Sequence, residues 1–172
     1  LRIRNNPSYR SIEQLYEFRE ANRLPITHDG FVLAYKAVRS DWWDKYTGKT
    51  FKNEPGKTIR MMRADVVDDP DIACGPGIHV GGLTYVISTY GTGIGVVNNE
   101  VLRASETADR CVQVKVDPAH VVSVPKDHAA GKMRVCEYKV LGEVTRVFDP
   151  DLDQVPDEII EIEVDTEVPL RG

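Results

Sequence analysis

Phe31-Val32-Leu33-Ala34-Tyr35-Lys36-Ala37-Val38 is a nearly continuous apolar run broken by one lysine. A turn signal, His28-Asp29-Gly30, precedes it, and a polar and aromatic segment from Arg39 to Lys49 follows. A short apolar run bounded in this way predicts a central strand, covered on both faces. Lys36 then belongs near the strand's end or in a cleft, because burying an unpaired charge is costly.

On the N-terminal side, Ser11-Ile12-Glu13-Gln14 matches a capping box, with Ser11 as N-cap and Gln14 at N3. The helix it opens should run to about Asn22. Ile12, Leu15, Tyr16 and Phe18 face inward, and Glu13, Glu17, Arg19 and Glu20 face water. Leu24-Pro25 ends it, since proline disfavours helix at the preceding residue. On the C-terminal side, turns at Thr47-Gly48 and Asn53-Glu54-Pro55-Gly56 lead to a short strand, Thr58 to Met62. Next comes Ala73-Cys74-Gly75-Pro76-Gly77-Ile78-His79-Val80-Gly81-Gly82, whose four glycines let the backbone approach a ligand or a neighbouring strand closely.

Leu83–Tyr90 is rich in β-branched residues, which favour strand, but Leu83, Val86, Ile87 and Tyr90 recur at helical spacing and tip the reading to a short helix. Residues 91–110 read as an excursion, with a small helix from Glu100 to Ala108. Strands are expected at Cys111–Val116, Val121–Val124, Arg134–Leu141 and Val144–Phe148. The predicted fold is α+β: a mixed, mainly antiparallel sheet of five to seven strands with one or two short helices packed on it.

The chain has 172 residues, enough for one domain with a sizeable core. That domain is read as residues 1–148. Residues 149–172 hold nine acids and one base, a local charge of −8, whereas the rest of the chain is +3. This tail alternates Ile160, Ile162, Val164, Thr166 and Val168 with acids, the pattern of an edge strand seeking a partner, including a second copy of the chain. No strong basic footprint suggests duplex nucleic acid. No run approaches the roughly 18 apolar residues of a membrane helix. The leading Leu1 and the absence of a signal-peptide core suggest a fragment or processed form of a cytosolic protein. Cys74, Cys111 and Cys136 are far apart, which predicts reduced, packed thiols and no zinc site.

Several residues qualify for chemistry, each with a plainer alternative. His79 is either a base or stacking platform, or a half-buried strand histidine with a satisfied hydrogen bond. Glu137 is either a working carboxylate or, sharing a strand face with Lys139, a solvated side chain. Lys36 and Arg39 either clamp an anion or pair with Asp41 or Asp44. Trp42, Trp43 and Tyr46 are candidates for a partner surface. Asp68, Asp69 and Asp71 lack EF-hand spacing and are read as a solvated turn, so no metal is assigned. Lys126, His128, Lys132 and Arg134 form a basic group that either meets an anionic ligand or the chain's own acidic tail, or is a solvated loop.

Leu24-Pro25-Ile26-Thr27-His28-Asp29-Gly30, Leu33 to Val38, Asp44-x-Tyr46-Thr47-Gly48, Cys74-Gly75-Pro76-Gly77-Ile78-His79, Val114-Lys115-Val116-Asp117-Pro118 and Lys132-Met133-Arg134-Val135-Cys136-x-Tyr138 occur in order. Together they resemble the C-terminal part of the phage rapid-lysis rIIB family, over Leu24 to about Glu143. Residues 91–110 then read as an insertion, and the acidic tail lies outside the resemblance. The resemblance implies a non-catalytic phage protein in the host cytoplasm. It would control lysis timing or counter host exclusion by binding a host or phage protein, reach the membrane only through a partner, and need no cofactor.

A second, fainter similarity is to ADP-ribosyltransferases of the poly-ADP-ribose polymerase type. It rests on Gly75-Pro76-Gly77-Ile78-His79 before a helix and on Cys136-Glu137-Tyr138-Lys139-Val140, with Lys36 where that family has histidine. It implies NAD as a ligand, catalytic Glu137 and His79, and Lys36, Arg39, Gly77, His79 and Tyr85 as ligand contacts. It requires Lys36, His79 and Glu137 to line one cleft.

Overall fold

The computed structural model describes residues 5–22, 24–72, 77–125 and 131–147. The predicted central strand is present as β1 (Val32–Val38), with all seven residues buried. It lies fourth in a seven-stranded sheet of order β2-β9-β6-β1-β3-β8-β7. The other strands are β2 (Thr58–Arg60), β3 (Ile78–Gly81), β6 (Arg110–Val116), β7 (Val121–Ser123), β8 (Lys132–Val135) and β9 (Glu137–Glu143). Every pairing in this sheet is antiparallel. Two helices, α1 (Tyr9–Asn22) and α2 (Leu83–Tyr90), pack on it, so the chain is α+β with the sheet dominant. α2 has the bounds its periodicity predicts, with Val86 and Ile87 buried.

The predicted strand over Arg134–Leu141 is two strands broken at Cys136. β8 pairs with β3 and β7, whereas β9 pairs with β2 and β6. In a flat sheet four strand spacings, about 19 Å, would separate β8 from β9. One intervening residue spans at most about 7 Å. The sheet must therefore curl until its two sides meet at Cys136. There Cys136 N donates to His120 O at 3.0 Å and Met61 N donates to Cys136 O at 2.9 Å. Inside the curl sit Phe18, Val32, Val38, Val112, Val114, Met133, Val135 and Val140, each fully buried.

α1 begins two residues before the expected cap. Ser8, not Ser11, receives the amide of Ser11 on its hydroxyl, at 3.2 Å. Ser11 Oγ instead donates to Val122 O at 2.5 Å, and Gln14 Oε1 accepts Val124 N at 2.8 Å. Both polar groups thus anchor the helix to β7 and the residue after it, rather than capping their own turn. Leu15 and Phe18 are buried as predicted, but Tyr16 is 56% exposed.

Residues 100–108 do not form a helix. β4 (Ile94–Val97) and β5 (Glu100–Arg103) make a separate two-stranded hairpin. Asn98 and Asn99 at its tip have φ of 50° and 64°, the left-handed turn that matches hairpin twist and that asparagine tolerates. The segment from Val144 pairs alongside this hairpin through a bridge between Glu100 and Arg146, rather than forming a strand of the main sheet. Cys111 and Cys136 are free, buried thiols. Cys74, Lys126, His128 and the alternating tail of residues 149–172 lie outside the described residues.

Candidate functional site

A cavity of about 500 Å³ opens between β1, β3, the C-terminal half of α2 and the loop after β1. The loop is shaped by Asp44. Its Oδ2 accepts the amides of Tyr46 and Thr47, at 3.3 and 3.2 Å, and the Thr47 hydroxyl at 3.0 Å. This is the local turn that aspartate side chains favour. Gly48, at φ 64°, carries the chain back, and Asp44 N donates to Phe51 O at 2.9 Å. Phe51 and Tyr46 thereby join Val86 and Tyr90 of α2 in the cavity lining. The Tyr46 and Tyr90 rings meet edge to face, with centroids 5.8 Å apart.

Lys36 lies in the cavity wall. Its Nζ is 3.0 Å from Asp44 Oδ1 and donates to His79 O at 2.9 Å. Both side chains of the pair are at most 10% exposed. Burial raises the Asp44 pKa, but the Lys36 charge and the hydrogen bonds from Lys36, Thr47 and Tyr46 outweigh it and hold the carboxyl below its usual range. Lys45 ion-pairs with Asp109 and donates to Tyr90 O and, at 3.1 Å, to Thr92 Oγ1. Lys132, buried on β8, donates to the Tyr90 hydroxyl at 3.3 Å.

His79 also lines the cavity. Burial and then the charges of Lys36, Lys132 and Arg134 push its pKa down to about 3, against the opposing pull of Asp44. The imidazole is neutral at physiological pH, and its Nε2 is buried with no hydrogen-bond partner. It is the half-buried strand histidine of the plainer alternative, with one ring nitrogen left without a partner.

The structure brings Lys36, Gly77, His79 and Tyr46 to this one site. Glu137 is not among them. It lies on β9, which pairs with β2 and β6 rather than with β3. Glu137 instead lines a shallow depression with His120, Lys115 and Lys139. It lies 3.3 Å from Arg60 Nε and 3.7 Å from His120 Nδ1. The single cleft of Lys36, His79 and Glu137 expected from the transferase similarity is thus not formed: Lys36 and His79 line one cavity and Glu137 another depression.

Arg39 does not line the cavity; it pairs with Asp41 at 3.2 Å, with both side chains nearly half exposed. Tyr85 stands behind the wall, its ring 5.8 Å from that of Tyr90. A Cβ on Gly131 would come within 2.3 Å of the Tyr85 ring, so a glycine there lets α2 close on the start of β8.

Trp42 and Trp43 are half-buried, not a free aromatic surface. Arg110 stacks on Trp42 at 4.5 Å, and Lys52 lies 5.6 Å from the Trp43 ring. Tyr46 alone of the three is open, at 72% exposure. Arg134 is fully buried and binds the carbonyls of Val67, Asp69 and Ile72, so one of the four residues of the expected solvated basic loop is a structural clamp. Lys45 and Asp109 are site residues that the sequence reading does not single out, whereas Lys132 belongs to its basic group. Lys45 adjoins the recognised Asp44-x-Tyr46-Thr47-Gly48 block, but nothing local links it to Asp109 or Lys132.

Comparison with known proteins matches residues 1–164 to the family described as bacteriophage T4 protein rIIB. The chain belongs to the rIIB family. Protein rIIB of Enterobacteria phage T4 is 38% identical over 143 residues, covering 83% of this chain. This rIIB-family chain spans only 41% of the length of that curated relative. No solved structure matches it. Among the described residues of this rIIB-family domain, no helix is long and apolar enough to cross a membrane. Nor, among them, does any group of three or more His, Cys, Asp or Glu side chains offer a metal site.

Proposed function

We propose that this chain is a binding domain of a phage protein that acts in the host cytoplasm, where it governs lysis timing or counters host exclusion. It works by engaging a host or phage protein rather than by catalysis, and it reaches the inner membrane only through that partner. The observation that carries this reading is the rIIB-family match across residues 1–164. The β4–β5 hairpin supports it, since it stands apart from the main sheet with Val96, Val97 and Leu102 between 43% and 55% exposed. Apolar side chains held out on a hairpin suit contact with another protein.

The test is the lysis time of infected cells. A phage deleted for the gene that encodes this chain should lyse at an altered time, and the wild-type gene supplied in trans should restore it. A Val97→Glu/Leu102→Glu double variant should fail to restore timing while its melting temperature stays within about 2 °C of wild type, as for exposed positions. Unchanged lysis time and unchanged growth on excluding hosts after deletion would overturn the reading.

A further inference from the structure

We propose that the cavity between β1, β3 and α2 binds a small aromatic anion, a flat ring bearing a phosphate or carboxylate, of which a mononucleotide is the leading class. Its volume of about 500 Å³ lies within the range of small-molecule sites. Its lining divides into two parts. One is aromatic and apolar, with Phe51, Tyr46 and Tyr90 around the opening and Val86 and Ile78 behind them. A planar ring gains by packing on such faces.

The other part is cationic. Lys36, Lys45 and Lys132 stand in the wall, with Asp44 paired to Lys36 and Asp109 to Lys45. Lys36 uses two of its three N–H donors, on Asp44 and on His79 O, and the third is available to an anion. His79 Nε2 is a buried polar atom in the same wall with no partner. A buried group without a hydrogen bond calls for an explanation, and a ligand that completes the bond supplies one. Tyr46 is exposed and rests edge-on against Tyr90, where the ring of a ligand would be covered. The exposed hairpin side chains Val96, Val97 and Leu102 are not part of this lining.

The experiment is isothermal titration of the chain with AMP, GMP, a cyclic nucleotide, ADP-ribose and 4-hydroxybenzoate, with adenosine and inorganic phosphate as half-ligands. At least one aromatic anion should bind with a Kd below 1 mM, and at least tenfold more tightly than adenosine and than phosphate. Tyr46→Ala, at an exposed site, should weaken binding about tenfold while leaving the melting temperature unchanged. Lys36→Met/Asp44→Asn removes both charges together, which spares the fold the cost of one unpaired buried ion, and keeps a side-chain oxygen for the Tyr46 and Thr47 amides. It should abolish binding while circular dichroism shows a native spectrum. Nucleotide-only binding identifies a nucleotide source, and binding of the benzoate as well identifies the broader class. No heat with any aromatic anion at 5 mM would overturn the proposal. So would adenosine binding as well as AMP, or affinity untouched in both variants.

Discussion

The two sides of this sheet carry the same chemical kit in different settings. On the β3 side, Lys36, Asp44 and His79 are enclosed by α2 and the loop after β1. On the β9 side, Lys139, Glu137 and His120 line a depression of about 30 Å³ that water reaches. The carboxylates differ accordingly. Asp44 sits in a pair at most 10% exposed, whereas the Arg60 partner of Glu137 is 70% exposed. Enclosure lowers the effective dielectric, so each charge in the cavity is felt by its neighbours, while screening mutes those on the other side. Residue identity alone does not mark a site; the cover that excludes water does.

Breaking the pair on each side should separate them most clearly. Lys36→Ala leaves Asp44 buried and unpaired and should cost about 3–5 kcal/mol of stability by denaturant unfolding. Lys36→Met/Asp44→Asn, which keeps a side-chain oxygen for the Tyr46 and Thr47 amides, should recover most of that loss. If the single and double variants were equally unstable, the pair would not be what holds that wall.

Acid should come next. His79 is neutral when folded, with its pKa lowered to about 3, and is protonated more readily when unfolded, near 6.5. The unfolded state therefore binds the extra proton, and the stability this represents is complete above about pH 6.5 and is lost as pH falls towards 3. Between pH 7 and pH 5 the wild type should lose on the order of 1–2 kcal/mol more than His79→Gln, measured by urea unfolding at each pH. Parallel pH profiles for the two would remove His79 from the enclosed group. Asp44, also lowered, adds to acid sensitivity in the same direction at still lower pH.

The smallest effect belongs to the open side. Glu137→Gln should change stability by about 0–1 kcal/mol, less in high salt, because the pair it makes with Arg60 is largely solvated. A loss above about 2 kcal/mol would show that the two sides are not as different as their exposure indicates.

Much of the arrangement was legible in the chain. The apolar run at Phe31–Val38 announced a strand covered on both faces, and α2 carried its helical spacing in four side chains. Lys36, Gly77 and His79 were marked as ligand contacts and share the cavity. Arg39 and Tyr85 were marked too and do not line it, because one adjacent residue on a loop or one step around a helix turns a side chain away. The N-terminal cap failed for a similar reason: Ser11 and Gln14 had the right spacing, but carbonyl and amide groups near β7 competed for the same side chains and won.

By itself, then, the sequence determined the central strand, both helices, the charge division between body and tail, and the family. These are properties of local periodicity, composition and motif order, and a chain carries them wherever it goes. Only the tertiary structure decided that Cys136 divides one apolar run between two sides of a curled sheet, that residues 100–103 pair as a hairpin, and that Lys36 meets Asp44 while Glu137 stands apart. Strand partners are chosen by backbone hydrogen bonds and buried surface between residues distant along the chain. No local pattern encodes which of two acids will be brought to a given lysine.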